Sequence, residues 1–131
     1  MTATRRSKQR LAEIRREMAA TDRAIERQIA SLSPLMSDAK WRRVLNFLDG
    51  DDRIKKPIRW KFVGADRIYE SRIGVVEDRY CDALFGVAPF KHIEWIEVAS
   101  SACEAIQNDL SLRGKFDLER TADGFKLYGY R

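Results

Sequence analysis

The spacing of hydrophobic residues along the chain changes from a helical to a strand period near residue 57. Residues from about 5 to 32 contain no Gly or Pro, and apolar side chains recur there at alternating three- and four-residue steps. This spacing is typical of a helix that packs along one seam. The seam comprises Leu11, Ile14, Met18, Ile25 and Leu32, with Thr21 and Gln28 at its polar positions. The pattern therefore predicts a long N-terminal helix.

A second helix is predicted over residues 38–49. Pro34 ends the first helix, because the residue before a proline is pushed out of the helical region. Ser37 is suited to cap the next helix, and apolar residues then follow at helical spacing up to Gly50, a plausible stop.

Beyond Pro57 the hydrophobic period is two, which predicts strands. The alternation starts at Ile58, restarts at Ile68 and continues in an extended stretch at residues 80–85. Residues 92–98 are apolar on both faces, with Ile93 and Trp95 on one and Ile96 and Val98 on the other, which indicates a central strand.

The C-terminal third predicts one more helix and a hairpin. Ser101 and Glu104 have the spacing of a capping box at the start of a helix. Residues 116–130 alternate around a turn at residues 122–124. The order of elements predicts an α+β fold, an antiparallel sheet of about five strands with helices mainly on one face, preceded by the long N-terminal helix. We assign residues 1–33 to a basic helical arm and residues 34–131 to a single α+β domain.

Charge divides the chain in the same way. Of the net charge of +5, residues 1–30 carry +4, eight Lys/Arg less four acids, and the other 101 residues carry +1, 17 bases less 16 acids. A basic helix can contact phosphates, and its candidate nucleic-acid contacts are Arg5, Arg6, Lys8, Arg10, Arg15 and Arg16. The seam allows three alternatives: docking on the domain itself, a homodimer through a coiled coil, or a partly helical basic tail.

The residues offer little catalytic or metal-binding chemistry. His92 is the single histidine, so a zinc site lacks ligands, and we expect no metal or cofactor. A hairpin that turns at Gly86 and Val87 would place Cys81 opposite His92, where a thiolate nucleophile could form. Ordinary cross-strand pairing is the alternative, and we expect no enzyme.

No apolar run is long enough to span a membrane, and no secretory signal follows the basic N-terminus. The two cysteines have no spacing typical of a disulfide framework or a redox motif. The expected compartment is the cytoplasm.

Several short motifs carry a resemblance. They are Lys40-Trp41 at a helix start, Phe85-Gly86 and Pro89-Phe90 in a loop, Ile93 to Glu97, and Gly129-Tyr130. The combination is similar to a family of small bacterial proteins classed as a domain of unknown function, over about residues 37–130, with the arm outside it. The resemblance implies a structural motif without an activity. Small bacterial domains of this kind often resemble immunity or other partner-binding proteins, which is an analogy.

These observations favour a non-enzymatic interaction module that recognises another protein, in the manner of immunity proteins. The alternative is a nucleic-acid-associated protein that binds through the basic arm.

We expect that removal of residues 1–33 leaves the domain folded. If the seam forms a coiled coil, light scattering will give an oligomeric mass for the full chain and a monomeric mass for the truncated chain. Equal monomer masses would refute the coiled coil.

Overall fold

The computed structural model describes residues 23–83 and 86–131. The helices are α1 (23–30), α2 (Asp38–Asp49) and α3 (Cys103–Ser111), and a 3-10 turn covers Phe90–His92. The strands are β1 (Ile58–Phe62), β2 (Ile68–Ser71), β3 (Tyr80–Ala83), β4 (Gly86–Pro89), β5 (Ile93–Ala99), β6 (Leu118–Arg120) and β7 (Gly124–Tyr128). None of the helices among these residues is long and apolar enough to cross a membrane.

The fold is α+β, with an antiparallel five-stranded sheet in the order β2-β1-β5-β7-β6 and a separate β3–β4 ribbon. This confirms the predicted class and strand number. β5 lies at the centre, as predicted. The predicted long N-terminal helix falls mostly on residues 1–22, which lie outside the described residues, and α1 covers 23–30.

One face of the sheet is buried under α2 and α3. Trp60, Ile96 and Leu127 stand side by side on β1, β5 and β7, and each is fully buried. Trp41 of α2 and Ile106 of α3 belong to the same hydrophobic cluster, so both helices cover this face. Burial of large apolar side chains, about 1.5–3 kcal/mol each, is the main stabilising contribution to such a layered fold.

The structure confirms the predicted bounds of α2 and its cap. The helix spans Asp38–Asp49, the Ser37 hydroxyl accepts a hydrogen bond from the Lys40 amide at 3.2 Å, and Gly50 follows the last turn. Such a side-chain cap typically contributes about 1 kcal/mol, because it satisfies an amide that the helix leaves unpaired.

The predicted faces of β5 were wrong at its start. Ile93 and Ile96 are both fully buried, whereas Trp95 is half-buried. The pairing with β1 shifts between Lys61 and Phe62, and this irregularity breaks the alternation that the prediction assumed.

The predicted capping box of α3 was also wrong. The N-cap residue is Ala102, which makes no side-chain cap hydrogen bond. The Ser100 hydroxyl, one position before the predicted Ser101, accepts from the Ala102 amide at 3.0 Å and donates to the Arg53 carbonyl at 2.9 Å. The second bond connects this loop to the loop before β1.

Backbone hydrogen bonds of Gly129 connect the segment before α2 to β5. Gly129 donates its amide hydrogen to the Glu94 carbonyl at 2.7 Å and accepts from the Leu35 amide at 2.9 Å. A side chain at Gly129 would meet the Ile93 carbonyl oxygen and would lie 3.0 Å from Cζ2 of Trp41. The backbone of residue 129 therefore fills a space between α2 and β5 that admits only glycine.

α1 contacts the domain at the same end of the sheet. The Glu26 carboxylate lies 2.5 Å from the Lys91 ammonium, and this hydrogen bond lowers the pKa of Glu26. Ile25 and Gln28 lie beside Gly64, so these two seam positions face the domain. A truncation that tests the arm while keeping these contacts therefore ends at residue 22.

We expect Gly129→Ala to lower the free energy of unfolding by at least about 1 kcal/mol, since an added methyl group would overpack a site closed by backbone. Denaturant unfolding followed by tryptophan fluorescence measures this change. Gly50→Ala is the matched control, because its new methyl group would lie 3.8 Å from the Asn46 carbonyl oxygen, an ordinary van der Waals distance. Equal midpoints for Gly129→Ala and the unmodified chain would contradict the close contact.

Candidate functional site

The predicted pairing of Cys81 with His92 does not form. Cys81 stands opposite Ala88 in the β3–β4 ribbon, and the last pair of the ribbon is Ala83 with Gly86. Gly86 and Val87 therefore lie in β4 and not in the predicted turn, which shifts every cross-strand partner by four residues. His92 belongs to the 3-10 turn instead, and its Nε2 lies 3.7 Å from the Glu26 carboxylate.

The environment of Cys81 is that of a core residue. Its side chain is fully buried, and this burial raises the pKa of the thiol to about 11, with a smaller contribution from the nearby Asp82 carboxylate. A nucleophilic cysteine needs a lowered pKa and access to solvent. Cys81 has no histidine partner across the ribbon, its side chain is buried, and its pKa is raised, and each of these findings opposes a catalytic role for the thiol.

The open face of the five-stranded sheet is covered by charged side chains of alternating sign. Across β2, β1, β5, β7 and β6, neighbouring positions are Glu70, Arg59, Glu97, Lys126 and Glu119. Arg59 lies 3.2 Å from Glu97 and 3.6 Å from Glu70, and Lys126 covers the Trp95 ring at 4.2 Å. We call these five residues the charge row.

Basic residues of the first hairpin are therefore engaged within the domain. Besides Arg59, Lys61 lies 3.2 Å from Glu94, and Arg72 donates to the Lys55 carbonyl at 2.9 Å. Trp60, which interrupts them in the sequence, is buried on the opposite face. This hairpin does not present a basic surface with exposed aromatic rings for nucleic-acid bases.

The acidic loop after α2 forms an ion pair within the domain. The Asp51 carboxylate lies 2.6 Å from the Arg53 guanidinium, and this hydrogen bond lowers the pKa of Asp51. Arg53 also reaches Asp109 of α3 at 2.9 Å. In the described part of the chain, no group of three or more His, Cys, Asp or Glu residues could hold a metal ion.

The predicted arm residues are only partly within the described ranges. Ile25 and Leu32 are half-buried. The remaining seam positions and the candidate nucleic-acid contacts lie outside: Leu11, Ile14, Met18, Arg5, Arg6, Lys8, Arg10, Arg15 and Arg16. The coiled coil and the nucleic-acid contacts stay predictions.

Exposed apolar side chains gather on the ribbon. Cys81 and Ala88 point into the core, so alternation directs Tyr80 and Val87 outward, where they are 45% and 65% exposed. Val75 is 61% exposed and lies on the other side of β3, where its carbonyl accepts from the Asp82 amide at 2.8 Å. We call Val75, Tyr80 and Val87 the ribbon patch.

The sequence interpretation missed this patch. The sequence predicts Val87 in a turn, whereas in the structure Val87 lies beside Asp82, on the opposite side of β3 from Val75. The local signal that could have indicated it is the alternation of buried Cys81 with exposed Tyr80 and Asp82.

A family model described as a family of unknown function (DUF6678) matches residues 23–131. The chain belongs to this family. The match includes α1 and therefore begins before residue 37, where the resemblance in the sequence begins. No curated protein and no solved structure matches the chain.

Several residues that carry the resemblance have structural roles here, and Phe85 lies outside the described residues. Trp41 packs against Gly129, Phe90 is fully buried, and the Tyr130 hydroxyl donates to the Lys91 carbonyl at 2.5 Å. These contacts hold one end of the sheet together. They explain why such residues occur together without implying a reaction.

We expect Cys81 to resist alkylation in the folded protein. A rise in pKa from 9.0 to about 11 lowers the thiolate fraction at neutral pH about 100-fold, and burial slows access further. Cys103→Ala leaves Cys81 as the single thiol, and the rate of its iodoacetamide labelling is compared with the rate in denaturant. Equal rates in the folded and unfolded states would show that Cys81 is accessible and reactive.

Proposed function

We propose that this domain is a non-enzymatic module that binds another protein through the ribbon patch. The observation that carries the proposal is the exposure of Tyr80 and Val87 on the outward face of a ribbon whose other face is buried, together with the exposure of Val75 in the segment beside β3. Exposed apolar side chains that adjoin one another are typical of protein interaction sites, whereas scattered ones need no explanation.

The remaining surfaces of the sheet favour this location. One face is covered by α2 and α3. The other carries the charge row, in which Arg59 is paired with two carboxylates and Lys126 lies over an aromatic ring. Docking there would require these charged groups to lose their partners or water, at a cost in free energy.

The surroundings of the patch define the chemistry of the partner. Asp82 stands beside Val87 on the outward side, and Glu77 donates its amide hydrogen to the Tyr80 carbonyl at 2.9 Å. Neither carboxylate takes part in an ion pair within the described residues. The partner surface that fits is apolar at its centre, with Lys or Arg side chains at its edge.

The compartment that we propose is the cytoplasm, since Cys81 and Cys103 are both free and buried. Immunity-like recognition is the class of binding that we propose, on the analogy drawn from the sequence. A homodimer through the arm would add a second copy of the patch.

We expect Val87→Asp to weaken binding of the partner at least about 10-fold, because it places an unpaired charge at the centre of an apolar contact. Leu112→Asp is the matched control, since Leu112 is 84% exposed and lies at the end of α3, away from the patch. The measurement begins with affinity capture from the source organism on the unmodified chain and on both variants. Titration calorimetry with the purified partner then gives the dissociation constants.

Capture that is lost with Val87→Asp and retained with Leu112→Asp supports the ribbon patch. A partner bound equally by both variants would exclude it. Recovery of only a second copy of this chain, or of nucleic acid that nuclease removes, would also contradict the proposal.

A further inference from the structure

Three loops meet at the end of the sheet opposite α1 and enclose a cleft of about 520 Å³. They are the loop before β1, with Arg53, Lys55 and Lys56, the loop between β5 and α3, at residues 99–103, and the β6–β7 turn, at residues 120–123. We call this space the basic cleft. Its volume lies in the range of small-molecule sites in proteins, about 300–1,000 Å³.

Hydrogen bonds through Ser100 hold the loops in place. Its hydroxyl donates to the Arg53 carbonyl at 2.9 Å, and its amide donates to the Asp123 carbonyl at 3.0 Å. The Arg53 side chain is fixed between Asp51 and Asp109, at 2.6 and 2.9 Å. The walls of the cleft are therefore positioned before any ligand arrives, which lowers the entropy cost of binding.

The lining of the cleft has an excess of positive charge. Arg53, Lys55, Lys56 and Arg120 line it, against the single carboxylate of Asp123. The two aspartates that hold Arg53 offset its charge, but the ion pairs of residues 23–83 and 86–131 do not include Lys55, Lys56 or Arg120. Three cations that form no ion pair, against one carboxylate, leave a net positive charge around one concave surface, which attracts an anion.

The remaining lining suits an anion more than an apolar ligand. Besides the charged groups, it consists of small or hydroxyl-bearing residues: Ala99, Ser100, Ser101, Cys103 and Ala122. No aromatic or large aliphatic side chain of the described ranges, 23–83 and 86–131, lines the cleft. The start of α3 at the rim adds a modest positive potential, which the exposed Glu104 in its first turn reduces.

We propose that the basic cleft binds an oligophosphate, either free or as part of a nucleotide. The cations come from two of the three loops and face the same space, so an anion with charge spread over two or more phosphates satisfies more of them than a single phosphate does. The planar guanidinium of Arg120 can donate two parallel hydrogen bonds to phosphate oxygens, and Lys55 and Lys56 supply compact charges on flexible side chains.

The test compares two double variants of the full chain that lose the same charge. Lys56→Gln with Arg120→Gln removes two cations of the basic cleft. Lys115→Gln with Arg79→Gln removes one exposed lysine and one exposed arginine outside it. All four side chains are exposed, so both variants should unfold at the same temperature as the unmodified chain.

Pyrophosphate and ATP are titrated separately at near-physiological salt, with calorimetry for affinity and amide NMR shifts for location. We expect binding with shifts at residues 99–103 and 120–123. The cleft variant should weaken it at least about 10-fold and the control variant less than about 2-fold. ATP binding that is much tighter than pyrophosphate binding identifies a nucleotide as the source, and equal binding identifies the phosphates alone.

Equal weakening by both variants would show general attraction to a basic surface and would overturn the proposal. The absence of binding to pyrophosphate and ATP at millimolar concentration would overturn it too. Binding of a single-stranded oligonucleotide without binding of either small probe would assign the surface to nucleic acid instead.

Discussion

The close approach of Gly129 to Trp41 and to the backbone of β5 is the constraint on which the rest of the domain depends. At this point α2, the central strand and the C-terminal residues meet without space for a side chain. The same residue accepts from the Leu35 amide, and Pro34 forms a bridge with Tyr130. The segment that leads from α1 to α2 is thus held by the last residues of the chain, and contacts between distant parts of the sequence close the fold.

The elements that could be predicted are those whose signals are local. The cap at Ser37, the stop at Gly50 and the alternation from Ile58 each act over a few residues, and the structure follows them. The register of the ribbon was misread because Gly86 looked like the centre of a turn, although it begins a strand. The face of Ile93 was misread because the irregularity beside it depends on pairing with β1. Pairing between distant segments has no counterpart in a local pattern.

The two candidate sites show the same limit. The basic cleft draws on residues from position 53 to position 123, and its positive charges come together only when the loop before β1 meets the β6–β7 turn. In the sequence these residues lie in three separate polar segments, and none of the segments stands out by its composition. The ribbon patch depends on which side of β3 each residue occupies, and one wrong turn position hides it. The excess of positive charge in residues 1–30 could be obtained from the sequence, because a count of charged residues does not depend on the fold.

The charge row has a consequence for how strands find their partners. A slip of two residues keeps every hydrophobic side chain on its own face, so the apolar pattern cannot distinguish such a slip from the native pairing. The charges can, since Lys126 would then stand opposite Trp95 or Ala99 in place of Glu97. Opposite-charge neighbours contribute about 0.2–1 kcal/mol each. The four neighbouring pairs across the five strands thus select one alignment among several that bury the same surface.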